Sequence, residues 1–406
     1  MKTTWDRHRE KQIPVFGWND RGHSPFRDQG CHRQNRKAQR WAAACATAGA
    51  AVWAAIAVLA RMGMARLGAI ELLFLFAPLV LVPLGMELGR VLGDGGWLKE
   101  VGRRLQPAGA GLAIVAMWLP PGRRAGLAAL GWLLICALMA GAGFLDLILA
   151  PWADAGAGAH ATQIVMGIAG VDLAVGGAWL VASRWGMRPM GIEEPIGLLT
   201  AVHFHFAGFA TAMIAAATLR FAEKRGPQPW LKGLIVIVVG LPFVVAAGFV
   251  ISPKVKMVAA LLFSASVAGL AIVLRACGRK AEQATARILL QVAAGAVFAA
   301  MVLSGAYAVG DFLGNDGLTI PQMARTHGIL NAVGFCVSGL LGWLVENSRQ
   351  LPVARGQYPA RLRSRARTER SFWPEVSSGT CTLLQSNCQD PGARSPGLHD
   401  AGKVSA

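Results

Sequence analysis

The stretch VAAGAVFAAMVLSGAYAVG, residues 292–310, decides the fold class. It holds no charged side chain and belongs to an apolar window over 286–310. A helix needs about 20 mostly apolar residues to cross a bilayer, because unpaired backbone groups in hydrocarbon are costly. Its Gly and Ala let helices approach closely in lipid, where packing rather than water exclusion holds them together. No phosphate-binding loop accompanies these glycines, so they need no nucleotide to explain them.

Similar windows fall at 41–60, 67–91, 107–121, 125–150, 161–183, 196–221, 232–252, 255–275 and 326–345, which makes about ten spans in all. The window 107–121 is short and bounded by Pro107, Pro120 and Pro121, so a tilted, re-entrant or interfacial course is open for it. The composition agrees. Of 406 residues, 54% are hydrophobic and 15% charged, against about 45–50% and about 25% in soluble domains. The mean hydropathy is +0.44. These values exclude a disordered chain, a disulfide scaffold and an ordinary water-soluble enzyme. The expected fold is all-α, a polytopic transmembrane helix bundle in a cell membrane, with the lipid bilayer as its main partner.

The net charge is +18, and the charge gathers at the ends: residues 1–41 hold ten Lys and Arg, residues 346–406 nine. No nucleic-acid motif accompanies it, so it reads as membrane flanks drawn to anionic lipid, with no nucleic acid as partner. With both termini in the cytoplasm, the inner segments hold 31 of the 40 Lys and Arg and the outer loops 9, as the positive-inside rule requires. Most of that signal comes from the tails. The chain divides into a basic tail without stable structure over 1–40, a transmembrane domain over 41–345 and a second basic, disordered tail over 346–406. Residues 1–40 lack the apolar core of a signal peptide. Cys45, Cys136 and Cys336 fall in apolar segments, where Cys packs as a small hydrophobe. Cys31, Cys277, Cys381 and Cys388 fall in segments placed in the cytoplasm, where they stay reduced. No Cys pair has zinc-finger spacing.

Ionisable residues inside spans are costly and mark cavities or partners. Glu71, Asp172, His203, His205 and His327 lie within spans or near their outer ends; Glu87, Asp146 and His160 lie near inner ends. In LTAVHFHFAGF, 199–209, His203 and His205 are two apart, about 200° around a regular helix. They cannot share one cavity unless the helix opens locally near Gly208. Thr200 and His203, three apart, share a face. In THGILNAVGF, 326–335, His327 and Asn331 continue with Gly334 and Ser338 along one helical face. Asp172 stands mid-span among Gly167, Gly170, Gly176 and Gly177. It is either a proton or ion site or a neutral Asp bonded to a neighbouring helix. Glu193 and Glu194 read as a solvated loop pair, and Asp311, Asn315 and Asp316 as a turn.

LLTAVHFHFAGF at 198–209 and RTHGILNAVGF at 325–335 resemble the YndJ-like family of bacterial integral membrane proteins. The resemblance covers roughly 41–345 and rests mainly on the two histidine motifs. It implies a polytopic, transporter-like protein that shares His203, His205, His327 and Asn331. It names no substrate and no activity.

Three readings remain open at this point. One is a transporter or permease of an unknown solute, proton or ion, with Asp172 and His205 carrying a proton or cation and His327, Asn331 and Thr200 completing the path. Another is a membrane-embedded metal or haem protein, an oxidoreductase among other things, with His203, His205 and His327 as candidate ligands at about 2.0–2.1 Å for zinc. The third is a structural protein whose histidines only join helices. An enzyme is the less favoured of these classes, and neither the cofactor nor the oligomeric state is specified by the sequence.

Overall fold

The structure, a computed structural model, describes residues 25–93, 95–149, 157–315 and 317–348. Among these residues there is no strand. The described residues form ten long helices in series: α1 (Pro25–Arg61), α2 (Ala69–Val91), α3 (Trp97–Trp118), α4 (Arg123–Leu149), α5 (Ala157–Trp185), α6 (Ile196–Glu223), α7 (Pro229–Ile251), α8 (Pro253–Arg279), α9 (Ala284–Phe312) and α10 (Ile320–Asn347). Helix α1 begins inside the 1–40 segment read as a tail; the rest of that segment, and the 346–406 tail beyond Ser348, lie outside the described residues. Cys277, expected in a cytoplasmic loop, is buried in the last turns of α8. Helix α8 therefore extends past the 255–275 window.

Nine of the ten helices are long and apolar enough to cross a membrane. The other is α3, which carries the 107–121 window. Its first turns hold Lys99, Glu100, Arg103 and Arg104, which dilute its apolar average. It runs antiparallel along α4 for its whole length. Lys99 pairs with Asp146 at one end. Gly102 lies against Met139, Gly109 against Ile135 and Trp132, and Leu112 against Gly131 further along. Helix α3 thus accompanies α4 through the layer that α4 crosses. Pro107 falls inside it without ending it.

Contacts at the helix termini sort the loops into two ends. At one end Arg220 donates to the Leu92 carbonyl, Arg225 to the Lys280 carbonyl, and Glu346 accepts from the backbone N–H groups of Glu282 and Gln283. At the other, Arg184 donates to the Ala116 and Leu119 carbonyls at 3.1 and 2.8 Å, and Lys256 pairs with Asp311 at 2.7 Å. Among these are caps supplied from another helix. Glu346 closes the N-terminus of α9, where unpaired N–H groups favour an anion. Arg184 closes the C-terminus of α3, where unpaired carbonyls favour a cation.

Helices α6 and α2 form the centre, with 78% and 72% of their apolar windows buried, whereas α1 has 17% and α7 28%. The peripheral helices turn Val236, Ile237, Phe243, Val258, Leu262 and Ile272 outward. Lipid accepts such side chains without cost, so apolar residues need not face inward here.

Candidate functional site

Three helices carry a π-helical segment: Ala77–Leu81 in α2, Phe204–Ala210 in α6 and Leu330–Val337 in α10. Each of the three touches the other two. Such segments widen the helix by one residue per turn and occur frequently at functional sites. Local chemistry supports each one. In α2, Pro83 has no N–H to give the Pro78 carbonyl five residues back, and Gln106 Nε2 of α3 donates to that carbonyl at 2.5 Å instead. At the exit of the α6 segment, Thr211 Oγ1 donates to the Phe206 carbonyl at 2.9 Å. At the exit of the α10 segment, Ser338 Oγ donates to the Val333 carbonyl at 3.3 Å. Both hydroxyls reach back five residues, the π spacing.

His205 lies inside the α6 segment and is fully buried. Its Nδ1 faces the Ala201 carbonyl at 2.7 Å, so it carries the hydrogen. Its Nε2 therefore accepts, from the Trp132 indole N–H of α4 at 3.0 Å. The ring stacks on Trp132 and meets Phe74 of α2 edge-on. One neutral tautomer is specified, with both nitrogens occupied. His327 is held in the same way. Its Nδ1 donates to the Ala300 carbonyl of α9 at 2.9 Å, and its Nε2 accepts from Asn331 Nδ2 at 3.1 Å. Asn331 Nδ2 also reaches the His327 carbonyl at 2.9 Å.

His203 differs. Its Nδ1 bonds to the Leu199 carbonyl at 2.7 Å, and its Nε2 has no hydrogen-bond partner among the described residues. Its ring is exposed and lies within electrostatic reach of His327. Thr200, on the same face, turns its hydroxyl back to the Ile196 carbonyl at 2.9 Å.

Asp172 of α5 is fully buried, and neither of its carboxylate oxygens has a hydrogen-bond partner among the described residues. It lies against Gly208 of the α6 π segment, where an added Cβ would come within 2.7 Å of the Asp172 Cβ. One turn on, Gly176 lies against the His205 ring, where a Cβ would come within 2.6 Å of Nδ1. The two glycines bring α5 and α6 close enough for the carboxyl to reach the widened helix.

The structure thus brings His203 near His327 and Asn331, and Asp172 beside the His205 segment. It does not gather the three histidines as ligands. No group of three or more His, Cys, Asp or Glu that could hold a metal ion occurs among the described residues. The remaining sequence candidates have local roles. Glu71 accepts from the Gly68 N–H at 3.0 Å, Glu193 pairs with Arg188 at 2.7 Å, and Glu194 accepts from the Leu198 N–H at 3.3 Å. Asp316 lies outside the described residues. Trp132 and Gln106 were not singled out from the sequence, although a Trp or Gln in mid-span carries an N–H that must find an acceptor.

These features define a polytopic α-helical membrane protein with a polar site at the meeting point of three π-widened helices. The chain belongs to the YndJ-like family: the model for "YndJ-like protein" matches residues 72–335, which include all six candidate residues. It is 27% identical over 189 residues to the uncharacterized membrane protein YndJ of Bacillus subtilis (strain 168), a match over 46% of this chain and 33% of that relative. The match therefore spans about a third of the relative's length. No solved structure matches the chain.

Proposed function

We propose that the protein is a transporter or permease of a small solute, with Asp172 as its proton- or cation-carrying group. The observation that carries this reading is Asp172 itself, a fully buried carboxyl group with both oxygens unpartnered among the described residues. An ionised carboxylate without a partner is very unfavourable in such surroundings, so the group is stable there only when it holds a proton or a cation. A transport cycle needs a group of this kind, loaded in one state and unloaded in another. The adjoining π segments supply helices that can change register locally. His203, exposed and with one ring nitrogen unbonded among the described residues, forms with His327 and Asn331 the polar mouth of the path, and His205 with Trp132 holds the widened helix in place. The excess of Lys and Arg in the tails favours both termini on the cytoplasmic side. That puts the end of the bundle carrying Arg220, Arg225 and Glu346 in the cytoplasm.

Flux into proteoliposomes tests the reading. The full chain is reconstituted with an internal pH dye, and a panel of small solutes is applied. Wild-type vesicles should show solute-dependent acidification or alkalinisation, and Asp172→Asn should abolish it. Wild-type flux no faster than protein-free vesicles across the panel, or an Asp172→Asn protein equal to wild type, overturns the reading.

A further inference from the structure

Two cavities away from the histidines lead inward from the end of the bundle that carries Arg220 and Glu346. The outer one is an open cleft of about 60 Å³ lined by Arg90, Lys99, Glu100 and Arg103, with Met86 and Met139 deeper in. The inner one, of about 10 Å³, shares Met86, Lys99 and Met139 and adds Met166, Gly170, Phe209 and Met213. A water molecule needs roughly 10–15 Å³ of such volume, so the cleft admits several waters and the inner cavity about one. Four methionines wall the inner cavity. Unbranched thioether side chains shift at little cost, which makes that wall deformable.

The inner cavity ends beside the candidate site. Gly170 and Phe209 are part of its wall. Gly208, next to Phe209, bears directly on Asp172. The Phe209 ring rests on Gly85 of α2, where a Cβ would come within 2.6 Å of it.

We propose that this route joins Asp172 to the end of the bundle carrying Arg220, so that Asp172 exchanges its proton with water from that end alone. The inference rests on the reading of Asp172 as the proton-carrying group. The proton passes from the Asp172 carboxyl to a cavity water and returns by the reverse step, so no other reactant is needed. Few ionisable groups face Asp172. On α6, His205 lies one turn away with both nitrogens bonded, and the His203 ring is exposed. Helix α4 brings Cys136 against Gly177. Helix α7 has no titratable side chain over 233–251. Lys99 in the cavity wall is paired with Asp146, and Glu87 with Arg90. Arg220 is engaged at the terminus of its helix.

The test labels Asp172 with dicyclohexylcarbodiimide, which enters through lipid and adds only to a protonated carboxyl group. The full chain is placed in sealed proteoliposomes, and its orientation is read from trypsin access to the 224–228 loop. The pH is then raised by about two units on one side at a time, and labelling of Asp172 is followed by peptide mass spectrometry, with Asp172→Asn as the unlabelled control. Labelling should fall several-fold when the Arg220 end is made alkaline and stay unchanged when the other end is. Met139→Trp, which fills the shared wall of the two cavities, should blunt that response, and Met139→Phe should do so more mildly if the larger residue prevents folding. A rate that follows the opposite end, both ends or neither overturns the proposal, as does a folded Met139 variant that responds like wild type. The readout needs no solute, so it is independent of the flux assay.

Discussion

Trp132 is the residue whose loss separates holding the site from operating it. Trp132→Phe keeps an aromatic ring against His205 but removes the N–H that Nε2 accepts. A buried acceptor left without its donor costs about 1–3 kcal/mol, so the variant should unfold at lower temperature in detergent while Asp172 remains available to the carbodiimide. Gly208→Ala acts at the α5–α6 contact instead. Its Cβ would come within 2.8 Å of the Asp172 Cγ, and overpacking of this kind costs about 1–3 kcal/mol. A thermal melt that matches wild type would show that α5 and α6 are further apart than described. At this scale the sequence shows which residues are polar in apolar surroundings. It does not show their partners: Asp172 and Gly208 lie far apart along the chain, and only the packing of α5 on α6 makes them neighbours.

At the scale of the element, the three π segments need carbonyl partners that a regular helix would not. Gln106→Met keeps the length of the side chain and removes the donor to the Pro78 carbonyl. It should destabilise the protein by about 1–3 kcal/mol, measured as a lower midpoint of thermal unfolding in detergent. An unchanged midpoint would mean that another group, or water, satisfies that carbonyl. The π segments were only partly legible. Local opening near Gly208 was the condition for His203 and His205 to share a cavity, and α6 is indeed widened over Phe204–Ala210. The segment in α10 interrupts the regular face expected from His327 through Ser338. Pro78 and Pro83 in α2 are visible as helix-perturbing residues, but whether a helix kinks, breaks or widens at proline depends on what its neighbour offers the freed carbonyls.

For the whole molecule, charge at the helix termini ties the bundle together. Lys224, just past α6, is pushed below the usual lysine range, by burial first and then by Arg220, with Glu346 opposing. The folded protein therefore binds fewer protons than the unfolded chain just below the ordinary lysine pKa, and stability should rise with pH through that alkaline window. Lys224→Gln should flatten this rise in thermal melts taken across the window; a rise that is equally steep in the variant would assign it to other groups. The layout of spans was largely legible because hydrocarbon imposes a length and a composition on any crossing helix. The window 107–121 was the exception. It was counted as a span, but its short length and its prolines left a tilted, re-entrant or interfacial course open, and its course along α4 shows that it keeps pace with a crossing helix.

The amino-acid sequence by itself determined that this is an all-α polytopic membrane protein of about ten spans, because each crossing helix must satisfy its own backbone and face lipid with apolar side chains. It also marked Asp172, His203, His205, His327 and Asn331 as polar groups inside those spans. Only the tertiary structure decided what each of them is bonded to. Among the described residues, His205 and His327 have both nitrogens engaged, His203 keeps one free, and Asp172 has no partner for either oxygen. Those differences follow from which helices lie side by side. In lipid that choice is made by close packing of small residues and by interhelical hydrogen bonds, neither of which leaves a periodic pattern along a single segment.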